Sequence, residues 1–144
     1  MNFFISEKYE SMLIIILRWS IAIIFVWFGF LKILGYNPVY DLIYNSMMPW
    51  FASGNGLLTL GVMEVIIGLS LIINRYLVFI HTILLLHLLG TFSTFIFGLD
   101  VVFDPHFPVL SLDGEFVIKN ATIAIAALVV FTYEYKKRHQ HNNA

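Results

Sequence analysis

The residue best placed to do chemistry in this 144-residue chain is Glu64, a lone carboxylate inside the apolar run LLTLGVMEVIIGLSLII. In hydrocarbon an ionised carboxylate costs at least a few kcal/mol unless it is paired, protonated or facing a wet cavity, so Glu64 must look into a helix assembly. Gly61 and Gly68, three residues before it and four after, share its helical face and form a groove of small residues for a neighbouring helix. The next apolar run carries His87, Thr91 and Thr94 at i, i+4 and i+7, with Gly90 beside them. A tight Asn74-Arg75 turn joins the two runs, and a rise of 1.5 Å per residue places Glu64 and His87 within roughly 5–10 Å of each other in depth. A carboxyl and an imidazole so placed are a proton-accepting or ligand-binding pair. They are equally a hydrogen-bonded clasp that only fixes helix register, and the sequence does not choose. His81 lies about 120° around the same helix and is assigned to a different face.

The remaining ionisable residues bound the chemistry. With no cysteine there is no disulfide, no CxxC redox pair, no iron–sulfur ligation and no thiol nucleophile. Haem held between helices needs imidazoles at matching depth on two of them, and both buried histidines are on one. Glu64 and His87 lack a third ligand at their depth, so no metal site is expected. A net charge of -1 without a basic stripe gives nucleic acid nothing to hold. Lys32 and Lys119 fall at the outer ends of the first and last apolar runs, near Asp100, Asp104, Asp113 and Glu115. They are expected to form a rim of ion pairs at the outer mouth, either as solvated anchors or as ligand contacts. Arg18 is expected to snorkel to the inner interface. Trp27, Phe28, Phe30, Phe92, Phe95 and Phe97 gather in the outer half, where they either floor a pocket for a flat ring such as a quinone or face lipid.

The elements that must hold these residues follow from composition. The chain is 60% hydrophobic and 12% charged, with a mean hydropathy of +0.87, far from the half-apolar, quarter-charged balance of a soluble domain. Four spans are predicted, at about 11–34, 56–73, 76–98 and 117–135, giving an all-α integral membrane four-helix bundle in one domain. Lys8, Arg75, Lys136, Lys137 and Arg138 mark one side as cytoplasmic, so both termini are expected there, and the first span is expected to be retained rather than cleaved as a leader. All four prolines, Pro38, Pro49, Pro105 and Pro108, lie in the two outer connections. Asn37-Pro38 reads as an N-cap and first helical residue, and Val39, Leu42, Ile43, Met47 and Trp50 recur at helical spacing up to Gly54. A short amphipathic helix on the outer face is therefore expected, with Asp41 and Asn45 turned to water. Asp113-Gly114 makes either a hairpin turn or the cap of the last helix.

The runs LRWSIAIIFVWFGFLKI in the first span, LGVMEVIIGLSLII in the second and LSLDGEFVIKN before the fourth resemble the DoxX-like superfamily of four-helix membrane proteins, including its YkgB branch, over residues 17–130. The resemblance implies an inner-membrane bundle in which Gly29, Lys32, Gly61, Glu64, Gly68, Gly114, Glu115 and Lys119 are the motif residues. Some members are subunits of a thiosulfate:quinone oxidoreductase and others are linked to redox stress. Members that handle thiols carry cysteines, which this chain lacks.

Three functions compete. The first is a redox-associated subunit in the lipid bilayer that binds a quinone or similar lipophilic molecule near Glu64 and His87, drawing electrons from a partner redox subunit. The second is a non-enzymatic scaffold or assembly factor. The third, a small-solute or proton transporter, would need a homo-oligomer to build a path from four spans without visible repeats.

Overall fold

The structure, a computed structural model, describes residues 7–142; the first six residues, on which the retained-leader reading partly rests, and the chain ends themselves lie outside it. It is 81% helical, with no strand among the described residues. The main elements are α1 (Glu7–Ile33), α2 (Tyr40–Tyr44), α3 (Gly54–Ile73), α4 (Leu77–Phe92), α5 (Thr94–Phe97), α6 (Leu99–Val102) and α7 (Leu112–Asn142). Four helical stretches are long and apolar enough to cross a membrane: Glu7–Ile33, Gly54–Ile73, Leu77–Phe97 and Leu112–Gln140.

Local chemistry sets the ends of these helices. α1 stops at Gly35, whose φ of +86° suits a residue without a Cβ, and the Tyr36 and Gly35 amides donate to the Leu31 and Lys32 carbonyls. α3 ends the same way at Asn74, with φ of 56° and amide bonds from Arg75 and Asn74 back to Ser70 and Leu71. α7 begins at Ser111, whose hydroxyl accepts the Gly114 amide at 2.9 Å while its carbonyl accepts the Glu115 amide. Asp113-Gly114 is therefore neither hairpin nor cap. The pair occupies the first turn of α7, where Asp113 favours the positive end of the helix dipole.

The first outer connection differs from the expected single helix. Only Tyr40–Tyr44 is α-helical, followed by a 3₁₀ turn at Pro49–Phe51. Asn37 is not its N-cap; its amide donates to the Ala52 carbonyl at 2.7 Å and so ties the two ends of the connection together. Gly54 does not end a helix but opens α3 with φ of +58°. Leu42 points inward and Asp41 outward, as an amphipathic segment requires.

α1 packs most extensively against α3, more lightly against α7, and α4 rests on α7. α3 and α4 touch little for helices joined by so short a turn. Core residues Ile21, Ala22, Phe25, Ile67, Leu84 and Val130 fill the centre. Large apolar side chains such as Trp27, Ile66, Leu86, Ile96 and Ile125 cover the outside.

Candidate functional site

Three glycines explain why α1 and α3 lie so close. A Cβ on Gly29 would meet the Gly61 carbonyl oxygen at 2.6 Å, one on Gly61 would meet the Gly29 carbonyl at 2.7 Å, and one on Gly68 would meet the Ala22 carbonyl at 2.7 Å. Backbone on backbone at this separation is the small-residue packing of helices in lipid. It carries Lys32, one turn beyond Gly29, directly onto Glu64.

Lys32 is consequently not part of an outer rim. Its residue is 4% exposed, and its ammonium donates to both oxygens of Glu64, at 3.0 and 2.8 Å. Against Asp100, Asp104, Asp113 or Glu115 it would have remained partly in water, whereas a lone buried Glu64 costs several kcal/mol. The ammonium also lies 5.6 Å from the centre of the Phe28 ring. From α4, His87 Nε2 stands 3.2 Å from Glu64 Oε1, so the carboxylate faces an ammonium on one side and an imidazole on the other. Phe25 meets the His87 ring edge-on at 5.5 Å and fixes its tilt.

The other predicted site residues scatter. Thr91 bonds weakly back to the His87 carbonyl of its own helix at 3.5 Å, but its side chain reaches the same cavities as His87. Thr94 is fully buried away from the cluster, donating to the Leu42 carbonyl at 3.2 Å and so holding the α2 connection over the end of α4. Ser93 assists by accepting the Met47 amide at 2.9 Å. Lys119 pairs with Glu115 one turn away on the exposed side of α7, at 2.8 Å. Gly114 lets α7 meet the Val102 carbonyl. Of the aromatics, Phe28 lines the site, whereas Trp27, Phe30 and Phe97 are exposed on the outer surface and floor nothing.

Two cavities meet at this cluster. The larger, about 420 Å³, is an apolar groove where α3 and α4 diverge beneath the α2 connection, walled by Leu60, Met63, Leu86 and Trp50, with His87 and Thr91 as its polar residues on α4 and Gly90 in its floor. The smaller, about 60 Å³, is a crevice between α1 and α7 into which Lys32, Glu64, His87, Thr91 and Asn120 converge. The groove's volume lies in the range of ordinary ligand pockets, and its one titratable group is an imidazole, which can donate or accept a hydrogen bond. Among the described residues no three His, Cys, Asp or Glu side chains gather as metal ligands, and the Lys32 ammonium already occupies the face of Glu64 that a cation would take.

A second polar cluster, at the opposite end, was not legible as one. Arg18 does not snorkel; it is 8% exposed and donates to Glu134 on α7 at 2.8 Å, while the other Glu134 oxygen accepts from Asn74 at 3.0 Å. Arg138 adds a bond to the Asn74 carbonyl, so α1, the α3–α4 turn and α7 are tied together. The available signal was that Arg18 and Lys32, fourteen residues apart, share one face of α1. Compared with known proteins, the chain matches no family model, no curated protein and no solved structure.

Proposed function

We propose that this chain is a multi-pass inner-membrane protein of the DoxX-like kind, both termini cytoplasmic, that binds a quinone or similar lipophilic ring in the groove between α3 and α4. The observation that carries this reading is the pairing of an apolar cavity of about 420 Å³ with one imidazole on its wall, backed by the buried Glu64–Lys32 pair. In such a site His87 hydrogen-bonds a ring oxygen, while the Glu64 carboxyl, held by the Lys32 ammonium, orients the imidazole. The apolar wall excludes water from the ring. Bound quinone would supply the redox chemistry; the chain itself offers positions and protons, and electrons come from a partner redox subunit.

Titration of the detergent-purified protein with a short-chain quinone tests this. In a form with Trp19 and Trp27 replaced by Phe, the remaining Trp50 lines the groove and reports binding by quenching. Saturable quenching is expected, lost in Gly90→Leu, which grows a side chain into space where a Cβ meets nothing, and weakened about tenfold or more in His87→Ala, the loss of one hydrogen bond at about 1.4 kcal/mol per decade. Absence of saturable quenching, or indifference to both substitutions, would falsify the reading.

The scaffold reading draws on a different observation, the backbone contact of Gly29 with Gly61 and of Gly68 with Ala22. It predicts that Glu64→Gln keeps cellular function while Gly61→Leu abolishes it by separating α1 from α3.

A further inference from the structure

At the end of the bundle that holds the Arg18–Glu134 contact, α1 and α7 leave a groove of about 400 Å³ between them, which shares no lining residue with the cavities at Glu64 and His87. Its walls are apolar, with Ile14 from α1 facing Ile125, Leu128 and Val129 from α7. Its rim carries two opposite charges, Glu10 in the first turn of α1 and Lys136 toward the end of α7. Both are exposed, they do not pair with each other, and among the described residues neither takes part in an ion pair or hydrogen bond. The Thr132 hydroxyl beside them is already committed to the Leu128 carbonyl, at 2.8 Å. Lys136 lies eleven residues beyond Ile125, so at 1.5 Å per residue the groove runs roughly 16 Å, about the depth of one leaflet of a ~30 Å hydrocarbon core. Spread over that length, the volume of about 400 Å³ leaves a mean cross-section of roughly 25 Å², less than a third of that of a helix 10–12 Å across. The groove is too narrow to seat a helix of a second copy and wide enough for one hydrocarbon chain.

We propose that this groove is a binding site for a zwitterionic phospholipid whose headgroup ends in a primary ammonium, with one acyl chain along Ile14, Ile125 and Val129, the phosphate on Lys136 and the ammonium on Glu10. The assignment follows from the chemistry of the rim. An unpaired lysine ammonium donates charge-assisted hydrogen bonds to a phosphate, and an unpaired carboxylate accepts them from a primary ammonium. A trimethylammonium headgroup has no N–H to give to Glu10, and an anionic headgroup brings the carboxylate no cation. The lysine stem lies along the apolar wall while its charge stays at the headgroup level. The inference rests on the membrane placement of the four helices and is independent of what occupies the groove between α3 and α4.

The test is made on the full-length, delipidated protein in detergent, titrated with phosphatidylethanolamine, phosphatidylcholine or phosphatidylglycerol of identical acyl chains, with bound lipid counted by native mass spectrometry. Phosphatidylethanolamine is expected to bind about tenfold more tightly than either of the others. Glu10→Gln should erase its advantage over phosphatidylcholine, Lys136→Gln should weaken all three lipids, and Val129→Trp, which fills the groove from an exposed position, should abolish the bound lipid. Helical circular dichroism confirms that each variant is folded; all three substitutions are at exposed residues, away from the core. Equal binding of the three lipids, a preference untouched by Glu10→Gln, or lipid retained in Val129→Trp overturns the proposal. So does a lipid-free dimer that Glu10→Gln or Lys136→Gln dissociates, since the groove would then be an interface between copies. Quinone binding is read separately by Trp50 quenching, so either result can fail without the other.

Discussion

Replacing Lys32 by methionine keeps the length and bulk of the side chain but strands the Glu64 carboxylate. Two charge-assisted hydrogen bonds, at 3.0 and 2.8 Å, are lost from groups whose side chains are 3% and 5% exposed. At about 1.5–3 kcal/mol each they sum to about 3–6 kcal/mol, in line with the 3–5 kcal/mol typical when one partner of a buried pair is removed. At this depth salt screens little, so no reduction is made for it. Glu64→Gln in the Lys32→Met background removes the stranded charge while leaving an amide to face His87, and should restore stability to within about 1 kcal/mol of the parent. The assay is equilibrium unfolding in mixed micelles by increasing denaturing detergent, followed by helical circular dichroism, with all four members of the cycle compared. A Lys32→Met protein within about 1 kcal/mol of the parent, or a double variant no more stable than the single, would show that the pair is not the closed, desolvated contact described above.

Other substitutions separate close packing from open space. Gly29→Ala should destabilise by about 1–3 kcal/mol, because its Cβ meets the Gly61 carbonyl at 2.6 Å, whereas Gly90→Ala, with nothing within 4 Å, should be neutral or stabilising by up to about 1 kcal/mol in the same detergent titration. Arg18→Met leaves Glu134 with Asn74 alone and should lower the unfolding midpoint markedly, while Arg18→Met with Glu134→Gln should recover most of the loss. Ser111→Ala removes the cap of α7 and should cost about 1 kcal/mol, with amide hydrogen exchange rising at Gly114. Lys119→Ala, breaking an exposed one-turn pair, should leave the midpoint unchanged.

Much of this architecture is legible in the chain. The four apolar stretches read directly, because length and composition are sufficient for helices that can cross a membrane. Glu64 and His87 read almost as directly, since a polar group inside an apolar run has few ways to be satisfied, and the short Asn74 turn fixes their relative depth. Lys32 misleads for a physical reason: a cation at the end of an apolar stretch has the same appearance whether it anchors at an interface or turns inward. What decides is the closeness of α1 to α3, set by Gly29 and Gly61 together, and one sequence does not say which glycine faces which. Asn37 misleads similarly, because an Asn-Pro step caps a helix only if its side chain is not captured elsewhere, and here the Ala52 carbonyl captures it. Asn120 carries no periodic signal, being one polar residue among several on a long helix; only the cavity beside it brings it near Lys32 and Glu64.

Both buried cations among the described residues ride on α1, yet each is neutralised by a different helix: Lys32 by a residue 32 positions later, Arg18 by one 116 positions later. An isolated α1 in hydrocarbon would carry two unpaired charges until its partners follow. Lys32 is paired once α3 follows, but Arg18 only once α7 does. A product cut short before Glu134 would leave the Arg18 guanidinium without its carboxylate, so α7 completes the charge balance of α1 as well as its packing.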